Sequence, residues 1–76
     1  MTGQKLKLTA EREGRAWSKQ TLSHASRVPS TTIGQVESGR FVPYPPQLER
    51  LARALGYLGD PAELLLPVDE AGEGLS

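Results

Sequence analysis

The chain contains no cysteine, which excludes a disulfide framework and any thiolate metal site. Its one histidine, His24, has no flanking carboxylates with which to hold a metal, so neither a metal nor another cofactor is expected. Aromatic residues are scarce, limited to Trp17, Phe41, Tyr44 and Tyr57. No apolar run approaches the roughly 20 residues of a membrane span, and the polar opening MTGQKLK lacks a signal-peptide core. A soluble cytoplasmic protein is the expectation. Paired carboxylates at useful spacing, GxSxG and P-loop patterns are all missing, and so short a fold offers no sizeable pocket, which argues against an enzyme.

What remains is a 76-residue chain, enough for one domain that buries roughly 60% of its unfolded surface. The formal net charge of zero conceals a split. Up to Arg53 there are nine basic residues (Lys5, Lys7, Arg12, Arg15, Lys19, Arg27, Arg40, Arg50, Arg53) against Glu11, Glu13, Glu37 and Glu49, or 9 − 4 = +5. From Ala54 onward there are five acidic residues and no basic one, or −5. Such asymmetry fits a polyanion-facing body followed by an acidic segment, or simply two solvated faces. The pI near 6.6 lies well below the value above about 9 usual for DNA-binding domains.

Five helix-sized pieces are predicted, and no hairpin. The first runs from Gln4 to about Gly14; KLKLTA alternates as a strand would, but AEREGR favours helix, and Gly14 is read as its left-handed terminator. The second opens on Ser18 as N-cap, with Trp17 and Leu22 as a hydrophobic staple, and ends near Ser26 or Arg27. The third begins around Pro29 and runs to Ser38, with Gly39 as its cap. After a turn-rich loop, Pro45 and Pro46 open the fourth, where Leu48, Leu51, Ala52 and Leu55 form the best apolar stripe and Gly56 closes it. The fifth is DPAELL, with Asp60, Pro61 and Glu63 forming a capping box. A domain over residues 1–67 and a disordered acidic tail over 68–76 are expected.

Residues 18–40 carry the functional signal. Two short amphipathic segments flank a tight turn, and the second sets Ser30, Thr31 and Gln35 on one face against Ile33 and Val36 on the other. A helix that packs on a core with one side and enters a DNA major groove with the other needs this layout.

Over residues 5–66 the chain resembles the lambda-repressor/Cro-type (XRE-like) helix-turn-helix family. The resemblance is carried by Ser18-Lys19-Gln20 with Leu22, by Val28-Pro29-Ser30-Thr31-Thr32-Ile33 and by Val36-Glu37-Ser38-Gly39-Arg40. Leu51-Ala52-Arg53-Ala54-Leu55-Gly56 and Asp60-Pro61-Ala62-Glu63-Leu64-Leu65 complete it. It implies an all-α, compact five-helix domain whose helices 2 and 3 form the helix-turn-helix, and a sequence-specific regulator of transcription from a phage or bacterium, repressor-like or Cro-like. Double-stranded DNA is then the partner, and the nucleoid the place of action.

The resemblance also implies site residues. Ser30, Thr31 and Gln35 would read bases: Gln35 can bond adenine bidentately, the hydroxyls can serve several bases, and the Thr31 methyl can meet a thymine methyl. Gly34 leaves room for close backbone approach. Ser18, Lys19, Arg27, Arg40 and Tyr44, with the N–H groups opening helix 4, would meet phosphates. Glu37 would pair with Arg12 of helix 1. Two departures stand out. Arg27 occupies a turn position where the family commonly has left-handed glycine, at a strain of about 1 kcal/mol. The reading face also has no arginine or asparagine, and so lacks the strongest guanine reader.

Regulators of this kind dimerise to place two recognition helices about 34 Å apart. A weak homodimer is expected through the helix 4–5 region, where Tyr57, Leu58, Leu64, Leu65 and Leu66 offer apolar surface. The alternative is an antitoxin or protein-interaction adaptor of the same fold, its acidic tail docking a basic protein.

Overall fold

The computed structural model describes residues 4–69, with side chains described for 5–68. The elements run β1 (Gln4–Leu6), α1 (Lys7–Gly14), α2 (Lys19–Ser26), α3 (Ser30–Glu37), α4 (Pro45–Leu55), a 3₁₀ helix (Pro61–Leu65) and β2 (Pro67–Asp69). The fold is mostly helical but carries four α-helices, not five. The fifth expected helix is the 3₁₀ segment, since five residues offer too few bonds to offset the cost of nucleating an α-helix.

The strands are the second correction. Gln4–Leu6, read as the first turn of a helix, pairs antiparallel with Pro67–Asp69 in the register Gln4↔Asp69, Lys5↔Val68, Leu6↔Pro67. The alternation of KLKL is therefore a strand signal over its first part. The Lys7 N–H continues the pairing by donating to the Leu66 carbonyl at 2.8 Å. Pro67 is tolerated because a two-stranded sheet consists of edges, where a missing N–H is harmless. The ordered body thus extends past residue 67 to take in Val68 and Asp69; the rest of the expected tail lies outside the described residues.

A left-handed residue follows each α-helix. At α3 the Gly39 N–H donates to the Val36 carbonyl at 3.1 Å and the Arg40 N–H to Gln35 at 2.8 Å, with Gly39 at φ 82°. This is the Schellman arrangement, which satisfies carbonyls orphaned at a helix end. The same pair of bonds closes α4 around Gly56 at φ 69° and α1 around Ala16 at φ 59°. Gly14, read from the sequence as the left-handed terminator of α1, does not have positive φ. Alanine performs that role two residues later, because Trp17 must turn back there onto the core. At α2 the left-handed residue is Arg27, at φ 64° and ψ 27°.

The core consists of Leu8, Leu22, Val28, Ile33, Val36, Leu48, Leu51, Ala52, Leu55 and Leu64, with Leu6, Trp17, Phe41, Ala54, Tyr57 and Leu65 packed against it. α2 packs on α3 and on α4, and the 3₁₀ helix closes the far side against α4 and α1. Leu64, expected at a dimer surface, is instead fully buried in this core, and Tyr57 and Leu65 are half-buried against it. The 3₁₀ segment packs on α4 and α1, and its leucines fill that contact.

The capping box expected at Asp60 forms by half. Asp60 Oδ1 accepts from the Ala62 N–H at 3.0 Å, but the Glu63 carboxylate accepts the Tyr57 hydroxyl instead of reaching back. That bond pushes the Tyr57 phenol up to about 12, since its proton is held by a carboxylate. Among the described residues no helix is long and apolar enough to cross a membrane, and no cluster of potential metal ligands occurs.

Gly14 and Gly56 should respond oppositely to alanine. A Cβ meets nothing within 4 Å at either position, so only backbone conformation distinguishes them. Gly14→Ala should stabilise by about 0.5 kcal/mol through lower unfolded-state entropy, and Gly56→Ala should destabilise by about 1 kcal/mol. Thermal denaturation of the two variants measures this; equal Tm shifts would refute it.

Candidate nucleic-acid interface

The unit that would meet a duplex is built from α2, its turn and α3. Ser18 caps α2, its Oγ accepting from the Thr21 N–H at 3.0 Å and lying 3.0 Å from Thr21 Oγ1. Its hydroxyl is thus committed to the helix end, which leaves less of it for the phosphate contact expected of it. At the other end Ser26, buried, donates to the Leu22 carbonyl at 2.7 Å and accepts from the Val28 N–H at 3.2 Å. This one hydroxyl stitches the turn that sets α3 against α2. Sequence reading missed it, although a serine at the last residue of a helix can bond both the helix carbonyls behind it and the turn backbone ahead of it.

Pro29 opens α3 in the N-cap position rather than within the helix. Ile33 and Val36 are buried and pin the inner side. On the outer side Thr31 and Gln35 are exposed, while Ser30 and Gly34 are half-buried. Thr31, Gly34, Gln35 and Ser38 are three and four residues apart, so they form one stripe. A Cβ built on Gly34 would come within 3.9 Å of Lys19 Cδ and Cε, so the Lys19 stem lies beside Gly34 and its ammonium borders the stripe. Gly34 therefore gives room to Lys19 as well as lowering the helix surface.

Behind the stripe, Arg12 fixes the depth of α3. Its Nε donates to Glu37 Oε2 at 2.8 Å and its Nη2 to Glu37 Oε1 at 3.1 Å, a two-pronged pair. Nη1 donates to the Trp17 carbonyl at 2.7 Å. The two side chains are only 10% and 7% exposed. The hydrogen bond to Glu37 raises the Arg12 pKa above its ordinary value, against the lowering effect of burial. Beside this pair an open depression of about 340 Å³ runs between α1 and α3, lined by Thr9, Glu13, Lys19 and Gly34 among others. Thr9 Oγ1 is buried there with no hydrogen-bond partner among the described residues.

The loop after α3 gives a mixed result. Arg40 is exposed, as is Tyr44, whose ring meets Phe41 edge to face at 6.5 Å. The opening of α4, however, is poor in donors. Pro45 and Pro46 have no N–H, and the Tyr44 N–H donates to Gln47 Oε1 at 3.3 Å. The expectation that several N–H groups there would hold phosphate is corrected accordingly. Arg27 is exposed on the turn but lines a separate depression with Arg50 and Arg53. His24 is exposed.

Charge is partitioned by element. Glu11 pairs with Arg15 at 2.9 Å, Glu13 with Lys5 and at 3.7 Å with Arg12, and Glu37 with Arg12. The Lys5 contact holds the Glu13 carboxyl below its usual value. Lys7 sits over the Tyr57 ring at 5.9 Å. By contrast Lys19, Arg27, Arg40, Arg50 and Arg53 form no ion pair among the described residues. The acids neutralise α1, and the cations of α2 through α4 remain available to a polyanion.

A short helix locked to its neighbour across a three-residue turn, with a polar outer stripe and cations at its borders, defines a helix-turn-helix unit of the DNA-binding class. A family model described as a helix-turn-helix domain matches residues 3–65, and the chain belongs to that family. No curated protein and no solved structure matches the chain.

Glu37→Ala should cost about 3 kcal/mol, because it leaves the buried Arg12 charge without its partner. Glu49→Ala, at an exposed position, should stay within about 0.5 kcal/mol. Equal denaturation midpoints for the two variants would contradict this account of the pair.

Proposed function

We propose that this chain is a sequence-specific, double-stranded DNA-binding regulator of transcription of the lambda-repressor/Cro type, with α3 lying in the major groove. The observation that carries this reading is the outer stripe of α3: Thr31 and Gln35 exposed and Ser30 half-open, on a helix whose opposite side is anchored by Ile33, Val36 and the Arg12–Glu37 pair. Rigid presentation matters because base readout requires donors and acceptors fixed against the base edges. Gln35 reads adenine through its amide, and Ser30 and Thr31 contribute hydroxyl and methyl contacts. Lys19 and Arg40, at the two ends of the unit, contact phosphates, with Arg27 and Tyr44 as flanking contacts; these set register without reading sequence.

One such unit spans one half-site, so the functional form is a weak homodimer on a two-fold operator. Of the apolar residues considered for its interface, Leu58 and Leu66 are 98% and 56% exposed, and the dimer rests on these two.

Selection from a random duplex library tests the reading. A preferred, two-fold symmetric site is expected, with Gln35→Ala relaxing preference at an adenine position at a cost of about 1–3 kcal/mol. No enrichment over input, or enrichment that Gln35→Ala leaves unchanged, would refute it. Leu58→Ser should leave stability within about 0.5 kcal/mol, because an almost fully exposed leucine contributes little to the core. It should also abolish pairing on a two-site duplex in sedimentation. Unaltered pairing would remove Leu58 from the interface.

A further inference from the structure

We infer that Arg50 and Arg53, together with Arg27, form a phosphate-binding patch beside the helix-turn-helix unit and hold the sugar–phosphate backbone of the bound duplex. The inference rests on the DNA-binding reading and extends it to a face of α4 outside the helix-turn-helix unit. Arg27, Arg50 and Arg53 ring an open depression of about 270 Å³ whose remaining lining is small: Ala25, Ser26 and Ala54. Small lining residues leave the three guanidinium groups as the dominant feature of the surface.

Three observations point to an anion. None of the three arginines forms an ion pair or side-chain hydrogen bond among the described residues. Arg50 and Arg53 are three apart on α4 and so share a face; exposed Glu49, which lines a neighbouring depression with Arg53 but not the one ringed by the arginines, forms no ion pair with either. Arg27 is exposed on the turn, and its side chain lines the same depression as Arg50 and Arg53, which brings a third guanidinium to the patch. The anion is best assigned as DNA phosphate because Arg27 lies just before Ser30 and Thr31. A backbone strand leaving the N-terminal end of α3 therefore meets Arg27 first and the α4 pair next. The guanidinium fork matches phosphate oxygens two at a time.

The test is a salt titration of full-chain protein on a mixed-sequence duplex of about 30 base pairs, followed by fluorescence anisotropy between about 50 and 200 mM salt. Arg50→Gln/Arg53→Gln should lower the slope of log K against log salt by about 2 and weaken binding about tenfold or more at physiological salt. Its melting temperature and the base preference found by library selection should not change. Wild-type binding with an unchanged slope in the variant would overturn the patch while leaving the DNA-binding reading in place. So would arginine-dependent capture of polyglutamate with duplex affinity unaffected, which would make the patch a site for acidic protein. Absence of duplex binding by the wild type would instead defeat the underlying reading.

Discussion

The position of α3 depends on one buried cation. Arg12 uses all three of its nitrogens, two on the Glu37 carboxylate and one on the Trp17 carbonyl. It thereby ties together α1, the loop that follows α1, and the last turn of α3. A bidentate pair sets both distance and orientation, as a point-charge lysine would not. Apolar contacts at Ile33 and Val36 hold α3 to the core but, being non-directional, set its orientation less sharply than a hydrogen-bonded pair does. The Arg12–Glu37 pair adds that directional constraint, which a helix meant to read bases would need. The net worth of such a pair to stability is modest, because both charges lose their water; its value lies in geometry.

The turn between α2 and α3 solves the matching problem at the other end. Three residues, Arg27, Val28 and Pro29, reverse the chain. Val28 is buried, Pro29 fixes its own φ, and Ser26 supplies the hydroxyl that bonds on both sides of the bend. Arg27 provides the left-handed step. Each residue contributes a different constraint, so the turn is rigid without glycine, and the strain of the arginine is absorbed by its neighbours. The four helix ends show that positive φ is a demand of topology that glycine merely meets most cheaply.

Much of this architecture was legible in the sequence because period and punctuation agreed. The α4 stripe, the Ser18 cap, and Gly39 and Gly56 as terminators each follow from local chemistry, and the structure has all of them. The misreadings arose where long-range pairing decided the outcome. Gln4–Leu6 alternates like a strand, but its partner lies more than sixty residues away, beyond the reach of any local signal. The fold needs Ala16 rather than Gly14 to go left-handed because Trp17 must return to the core, and glycine alone cannot reveal that. Leu64 looked available for a partner because DPAELL seemed too short to need so many leucines; it is in fact the plug of the core. At the interface, the polar stripe of α3 could be read from spacing. The loss of donors at the start of α4 could have been read from Pro45-Pro46, since prolines that favour a helix start also remove the N–H groups an anion would use.

A chain of zero net charge can still face a polyanion, because affinity for phosphate depends on charges within about a Debye length, near 8–10 Å. The carboxylates of α1 have their ion-pair partners in α1 and β1, Arg15 for Glu11 and Lys5 and Arg12 for Glu13, and of the cations of α2 through α4 only Lys19 contributes to lowering the Glu13 pKa. The absence of arginine from the reading stripe fits the same division. An arginine there would strengthen binding to every sequence through phosphate attraction as well as to guanine through its edge. Hydroxyl and amide groups carry no charge, so they contribute discrimination with little unspecific affinity. Under the proposed function, attraction would fall to Lys19, Arg27 and Arg40 and reading to Ser30, Thr31 and Gln35, so the surface would separate how tightly DNA is held from which sequence is held.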